Sequence, residues 1–451
     1  MTKISEKKIA IVGAGLVGSL LALRLLQRGL KVEIFESRED MRKQTISAGR
    51  SINLALSHRG IRGLNLVGLE DKILEHAVQM KGRMIHKIDS ELSFQAYSIR
   101  DGEYINSISR RTLNIILLDA IESFGVKVNF GKKLHSFLPE KNLIYFEDKN
   151  NQQSQVEDSI LIATDGANSM ARKFMLDRSA ELKMNYNQKF QEYGYKELNI
   201  LPGKNGEFLL EKNALHIWPR GHFMMIALAN PDATFTATLF LPFKGEQGFE
   251  SLTDKNSVNN FFEKYFKDAK ELIHDLDGEF FQHPIGHLNS VKCKPWHYED
   301  KLLLMGDAAH AIIPFYGQGM NCGFEDVVVF NELLDKYNDT LELFEQFEKS
   351  RKINSDAISD LAEDNFEEMR DKVADPIYQR KRTLEAQLEK QFPSYYSKYA
   401  LVTFCPDVSY SEAMIRGRKQ DDYLMNLCMT KTDFTNEDLG KIFKELESLN
   451  L

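Results

Sequence analysis

An α/β fold of interleaved parts is what this sequence predicts, and three observations predict it. A glycine-rich βαβ unit opens the chain, strand–turn–helix passages return far downstream, and aromatic-rich strands fill the interval. The chain has 451 residues, too many for one core of ordinary size; at roughly 150 residues per domain it divides into two or three packed units. Hydrophobic residues at 43% and charged residues at 27% exclude a disordered or fibrous class.

The βαβ unit is read from KKIAIVGAGLVGSLLALRLLQRGLKVEIFESRE. The run IAIV is β-branched and apolar, SLLALRLLQRG carries apolar residues at helical spacing, and KVEIFE returns to strand character. Gly13, Gly15 and Gly18 allow a tight turn, close approach of backbone N–H groups to a pyrophosphate, and close helix–strand packing. Glu36 ends the second strand, where an acidic side chain accepts from ribose hydroxyls. Together these define a Rossmann-like dinucleotide-binding unit.

GRSINLALSHRGIRGLNLVGLEDKI follows as a loop, a short strand and a helix capped by Ser57. Residues 80–106 alternate in strand fashion and include KGRMIH. SILIATDGANSMARKFM repeats the strand–turn–helix theme around Asp165 and Gly166, and KLLLMGDAAHA does so around Gly306 and Asp307, leading into PFYGQGMNCGFED and a helix. HIWPRGHFMMIALAN and TFTATLFLPF are aromatic-rich strands of a mixed sheet, and the chain beyond residue 341 is helical and strongly charged. The expected domains are therefore a discontinuous nucleotide-binding domain (1–75, 106–180 and 290–340), a mixed-sheet substrate domain (76–105 and 181–289), and a C-terminal helical region (341–451).

A net charge of -8 with both signs interspersed argues against nucleic acid as a partner and points to a small molecule. Cys293, Cys322, Cys405 and Cys428 form neither a CxxC pair nor a zinc-spaced cluster, so no metal site or disulfide framework is expected. No apolar run reaches the roughly 18 residues of a spanning helix. A cytoplasmic protein without a signal peptide is expected.

The order of the βαβ unit, the DG turn and the GD turn resembles the single-component FAD-dependent aromatic hydroxylases. GRSINLALSHRG, HIWPRG, PFYGQGMNCGFED and YALVTF are similar, within that class, to the kynurenine 3-monooxygenase family, and the similarity covers nearly the whole chain. The resemblance implies hydroxylation of L-kynurenine to 3-hydroxy-L-kynurenine through a flavin C4a-hydroperoxide, with NADPH and O₂ consumed. FAD would be non-covalent, since no Cys or His stands at a recognisable attachment motif, and NADPH, lacking a second fingerprint, would visit transiently. Carried over by position, FAD contacts are Leu16, Val17, Glu36, Arg38, Ala55, Arg110, Leu134, Asp165, Asp307, Met320 and Asn321, besides Gly13, Gly15, Gly18 and Gly319. The helix beginning near Gly319 would direct free N–H groups at the flavin.

The same resemblance assigns Arg83 and Tyr97 to the substrate carboxylate, joined by Asn365 and Tyr399, with Pro314, Phe315 and Tyr316 closing an apolar slot. Asn365, Glu368 and Met369 share a helix face by spacing, which adds Met369. Read without the resemblance, Arg83 is a solvated strand residue, Asn365 a surface residue and Tyr399 a packing residue. His310 reads as a loop histidine satisfying backbone groups and receives no role. No protein residue is expected to be catalytic, since the flavin carries the chemistry. Relatives with an apolar C-terminal membrane anchor differ from DFTNEDLGKIFKELESLNL, a charged amphipathic helix, so no anchor is expected. Two other readings fit the same residues: a hydroxylase of the same class acting on another anthranilate-like or phenolic acid, and a flavin-dependent redox sensor or interaction protein.

Overall fold

The structure, a computed structural model, describes residues 3–43, 53–372 and 375–449. Residues 49–52, which open the GRSINLALSHRG passage, lie outside them. A six-stranded sheet carries the dinucleotide unit. Its central strand, Lys8–Val12, pairs in parallel with Lys31–Glu36 on one side and Ser159–Ala163 on the other. Leu302–Leu304 and Val128–Phe130 extend it, again in parallel. These strands are continuous apolar runs because both faces are covered: helices Leu16–Gln27 and Arg110–Glu122 share this core, and Phe146 of the antiparallel strand Leu143–Glu147 stacks on Phe35 at 3.9 Å. Gly18 is required by packing, since a Cβ there would stand 2.0 Å from the Gly13 carbonyl oxygen.

The second sheet has seven strands, ordered Gly286–Lys294, Asn185–Ile200, Phe235–Pro242, Met224–Ala229, Ala214–Pro219, Gly82–His86 and Leu92–Ala96. Both of its faces are used. Leu198, Trp218, Met225, Ala227, Ala237 and Leu239 pack against Phe262 and Phe266. The alternate residues, Met224, Ile226, Leu228, Thr236, Thr238 and Phe240, floor a cavity, as the period of two in a strand demands. Helices Thr340–Glu367, Pro376–Gln391, Lys398–Thr403, Tyr410–Thr430 and Asn436–Leu449 form the C-terminal part. Among the described residues, no helix is long and apolar enough to cross a membrane.

Ser57 does stand at the N-cap of helix His58–Leu66, but its side chain does not cap it. Its hydroxyl turns to Gln318 Oε1 at 3.4 Å, and its backbone N–H donates to Asn321 Oδ1 at 3.0 Å. Tertiary partners have displaced the local cap.

On the face of the seven-stranded sheet away from the cavity, Asp268, His86, His216 and the Glu211 carbonyl form a chain with contacts of 2.7, 2.8 and 2.9 Å, and Trp218 Nε1 donates to the same aspartate at 2.8 Å. Burial holds the His216 imidazole down to about 4, the Glu211 carbonyl opposing and His86 assisting. A lowered histidine is fully compatible with folding above its ordinary range. Below pH ~6.5 the unfolded chain takes up a proton that the folded one refuses. Unfolding free energy should therefore fall as pH drops from 7 toward 4, and His216→Gln should flatten that slope in urea titrations at several pH values.

Candidate active site

Two adjoining cavities define the site. The first, about 470 Å³, is lined by Gly13, Gly15, Leu16, Val17, Glu36, Arg38, Leu134 and Asp165. The second, about 370 Å³ and mostly apolar, is lined by Ala55, Arg83, Tyr97, Pro314, Phe315, Met369 and Tyr399. Arg110, Asp307, Gly319 and Met320 line both. The structure thus gathers most of the residues singled out in the sequence, although they span more than three hundred positions.

In the first cavity Glu36 is pre-set by its neighbours. Its Oε2 accepts from the Ala14 N–H at 2.9 Å, and its Oε1 accepts from the backbone N–H and Nε of Arg38 at 2.9 and 2.8 Å. Burial opposes ionisation there, but the Arg38 bonds outweigh it and keep the carboxyl below its usual range. Asp165 Oδ2 accepts from the Met170 N–H at 2.8 Å, whereas Oδ1 is buried without a partner. Burial raises this carboxyl despite the Ser169, Ala171 and Met170 bonds.

Helices Leu16–Gln27 and Gly319–Leu334 both start with no side-chain cap. A Cβ at Gly15 or Gly319 would meet nothing within 4 Å, so both helix N-termini open onto the groove with their N–H groups unobstructed. The Asp307 carboxylate is exposed into the site and has no bonded partner among the described residues. Gly317, at φ +66°, brings the loop so near the strand Asn53–Leu56 that a Cβ would lie 2.9 Å from the Ala55 methyl.

In the second cavity Arg83 is 8% exposed. Its guanidinium carbon lies 4.9 Å from the Tyr399 ring centre and 5.7 Å from that of Tyr97, and it makes no salt bridge with any described residue. Burial would deprotonate it, but the nearby Tyr399, Tyr97, Tyr378 and Glu368 raise it instead. Tyr97 stacks on Tyr399 at 5.2 Å, and Tyr399 on Tyr316 at 5.6 Å. Phe315 stacks on Phe366 at 4.0 Å.

Five residues depart here from what the sequence suggested. Arg83 and Asn365 are buried, not surface residues. Asn365 donates through Nδ2 to the Phe315 carbonyl at 2.7 Å and lies 3.3 Å from Met369 Sδ, so it holds the loop and stands outside the cavity lining. Asn321 likewise latches backbone: Nδ2 donates to the Ala55 and Gly317 carbonyls, both at 2.8 Å. Spacing put Glu368 on the face of Asn365 and Met369, but the helix passes into a π-turn, Glu368–Lys372, and Glu368 pairs with Tyr378 and Lys398. His310 lies in a short helix and bonds a carboxylate, Asp326 Oδ2, at 2.7 Å.

Asp326 belongs to a buried cluster that the sequence did not disclose. Its Oδ2 also accepts from the Gly306 N–H at 3.1 Å, beside Asp307, and its Oδ1 accepts from Arg351 Nε at 2.7 Å. The neighbouring Glu325 accepts from Arg59 at 2.7 Å and Arg351 at 2.6 Å. His310, Cys322 and Asp326 are close enough to suit a cation, but the Arg351 guanidinium bonds both Asp326 and the Cys322 sulfur and supplies that charge itself. The helical face of MNCGFEDVV was the signal available, since two adjacent acids within so apolar a run require buried cations.

Fold and site together define a flavin-dependent enzyme: the FAD binding domain family matches residues 6–360. A kynurenine 3-monooxygenase of Myxococcus xanthus is 44% identical over 430 residues, covering 95% of this chain and 92% of the relative. One of Dictyostelium discoideum is 42% identical, covering 99% and 98%. The chain belongs to the kynurenine 3-monooxygenase family. The fold is shared with 2-methyl-3-hydroxypyridine-5-carboxylic acid oxygenase (TM-score 0.62, 17% identity, 87% of this chain and 98% of that one) and with tetracycline destructase Tet(51) (0.62, 17%, 88% and 100%).

Two aspartates of this region should separate cleanly. Asp307→Ala removes an exposed carboxylate, so purified protein should lose FAD while the unfolding free energy of the apoprotein stays within about 0.5 kcal/mol of wild type. Asp326→Ala strands two buried cations and should cost about 3–5 kcal/mol in denaturant unfolding, with or without FAD.

Proposed function

We propose that this protein hydroxylates L-kynurenine at the ring carbon beside the amino group, giving 3-hydroxy-L-kynurenine, with non-covalent FAD as resident cofactor and NADPH and O₂ as co-substrates. The observation that carries this reading is Arg83, a buried guanidinium without an ion partner at the aromatic end of an apolar cavity. A planar donor fork in that position suits a carboxylate, and the flat, dry space beside it suits an aryl ring.

FAD fits the residues present, on the evidence of two uncapped helix starts, the open backbone at Gly15 and Gly319, and the unpartnered oxygens of Asp165 and Asp307. In this reading segments 1–75, 106–180 and 290–340 hold it. Glu36 and Arg38 would receive the adenosine ribose, the N–H groups of Leu16 and Val17 the pyrophosphate, and Asp307 the ribityl hydroxyls. Gly319 and Met320 would present N–H groups to the ring, while Ala55, Arg110 and Leu134 supply walls. Bound FAD supplies the redox chemistry, accepting hydride from NADPH and activating O₂.

The chain's own work is to position and to dry. Arg83 and the hydroxyls of Tyr97 and Tyr399 hold the substrate carboxylate. Pro314, Phe315, Tyr316 and Met369 wall the ring, and Ile226, Leu228 and Phe240 keep water from it. Asn365 acts through the Phe315 carbonyl and is a positioning residue. The substrate's amino group activates the carbon ortho to it. A cytoplasmic location belongs to this proposal, supported by four cysteines without zinc or disulfide spacing.

Mass spectrometry of products from the yellow protein supplied with NADPH, O₂ and kynurenine tests the whole reading; a mass gain of one oxygen on kynurenine is expected, and its absence defeats it. Arg83→Ala should weaken kynurenine binding by about 2–4 kcal/mol with FAD content normal. Arg83→Lys keeps charge without the fork, so it should release more H₂O₂ per NADPH consumed.

A further inference from the structure

The cavity continues past the reach of an aromatic amino acid held at Arg83. One ladder, Ile85–Ile217–Ile226–Thr238–Glu197, runs straight across five strands of the sheet. Arg83 is two residues from Ile85 and shares its face. Glu197 therefore stands four interstrand steps from the Arg83 strand, ~19 Å along the sheet at about 4.8 Å a step. At that far end Glu197 lines the cavity with Tyr195 and Arg110, while His287 and Asn289 line it further along the edge strand, Asn289 opposite Phe190 and Gly286 opposite Tyr195.

The polar groups there await a partner. The Glu197 carboxylate accepts no hydrogen bond and forms no ion pair among the described residues. Arg110 is exposed and likewise without an ion pair. His287 is exposed, and Arg110 also lines the dinucleotide groove, so this end is open to solvent and joined to the cofactor site.

We propose that this far end is the nicotinamide subsite for NADPH, with Glu197 accepting from the carboxamide NH₂ and Arg110 donating to its carbonyl oxygen. The inference rests on the flavin hydroxylase reading above. The chain has one dinucleotide fingerprint, taken by FAD, so a second nucleotide needs other walls. A carboxamide offers two N–H donors and one acceptor, which complements a carboxylate and a cation. Charge argues the same way. Loss of a hydride to the flavin, two electrons with one proton, oxidises the dihydropyridine to a pyridinium, and a carboxylate beside it stabilises that cation. Burial pushes the Glu197 carboxyl up, against His283 and Arg110, and an arriving cation favours its ionised form. The Arg83 end has the opposite sign and suits the carboxylate of the other substrate.

The holoprotein decides the matter. NADP⁺ and kynurenine are titrated separately against the flavin absorbance of wild type, Glu197→Gln and Glu197→Ala, and NADPH affinity is read from the saturation of anaerobic flavin reduction. Glu197→Gln should weaken NADP⁺ about tenfold, as expected for a lost charged hydrogen bond, and weaken NADPH less, because only the oxidised ring is cationic. Glu197→Ala, which removes the acceptor as well as the charge, should weaken both several-fold, with FAD content and kynurenine affinity unchanged in each variant. NADP⁺ affinity within twofold of wild type in both variants overturns the subsite, and so does a loss of kynurenine affinity in Glu197→Gln. Should the wild type fail to hydroxylate kynurenine while Glu197→Gln still loses NADP⁺, the substrate reading falls and this subsite stands.

Discussion

Two consecutive carboxylates, Glu325 and Asp326, are the constraint on which the site depends. Buried charges in so apolar a helix are tolerable only when fully paired, and the fold supplies Arg59, Arg351 and His310. Burial works against the His310 imidazolium, but Asp326 and the Cys322 sulfur outweigh it and raise it well above the ordinary range. Each cation arrives on a different element, and Arg59 continues outward: Nε donates to the Val402 carbonyl at 2.8 Å, Nη2 reaches the Cys405 and Val408 carbonyls, and its plane lies 4.0 Å from the Tyr410 ring centre. The turn before Asp307, the helix after Ala55 and the C-terminal helices are thus fixed against one pair of acids. That is how a nucleotide groove and an aromatic slot, assembled from distant segments, keep one mutual geometry.

The seven-stranded sheet supplies a second economy. Strict alternation sends Trp218, Met225, Ala237 and Leu239 into a core with the Phe262 and Phe266 side chains, and gives the intervening residues to the cavity. Since a one-residue slip would exchange the two sets, the register that builds the core also places Arg83 and Glu197 at opposite ends of one floor. Packing and specificity are set by the same hydrogen-bond ladder.

Those facts explain what could be read in the sequence. The glycine turns were legible because backbone geometry leaves few residues for them: the close contact at Gly18 and the left-handed Gly306 and Gly317 admit no ordinary side chain without strain. Strands of the parallel sheet were legible as apolar runs. Arg83 was legible only through resemblance, because a strand arginine is ordinarily solvated and its burial comes from Tyr97 and Tyr399, the latter more than three hundred residues away. Asn365 and Asn321 were assigned by position, yet their side chains bond backbone carbonyls, a duty that a polar residue's identity does not announce. His310 was misjudged for the same reason as the acid cluster was missed: ion partners at separations of 16 to 266 residues leave no local pattern. In MMIALA both faces are buried, so hydropathy hides which methionine meets the cavity.

Arg83 also shows what the C-terminal helices contribute beyond closure. A buried cation without a partner is costly, and a nearby carboxylate of the chain itself would relieve it. Glu368 opens the adjoining π-turn, one residue before the cavity residue Met369, and it influences Arg83 from a distance. It is withheld by other partners: Tyr378 donates its hydroxyl to it, and Lys398 lies 3.6 Å away, itself bonded to Asp421 at 2.5 Å. Burial would neutralise Glu368, but Lys398 and Lys381 keep it ionised and engaged. The guanidinium is consequently desolvated and charged, with no ion partner among the described residues, and in the proposed reading an incoming carboxylate breaks no internal ion pair. In that reading a neutral ligand of the same shape would leave the charge uncompensated, so the slot would discriminate by what it leaves unpaired as much as by what it touches.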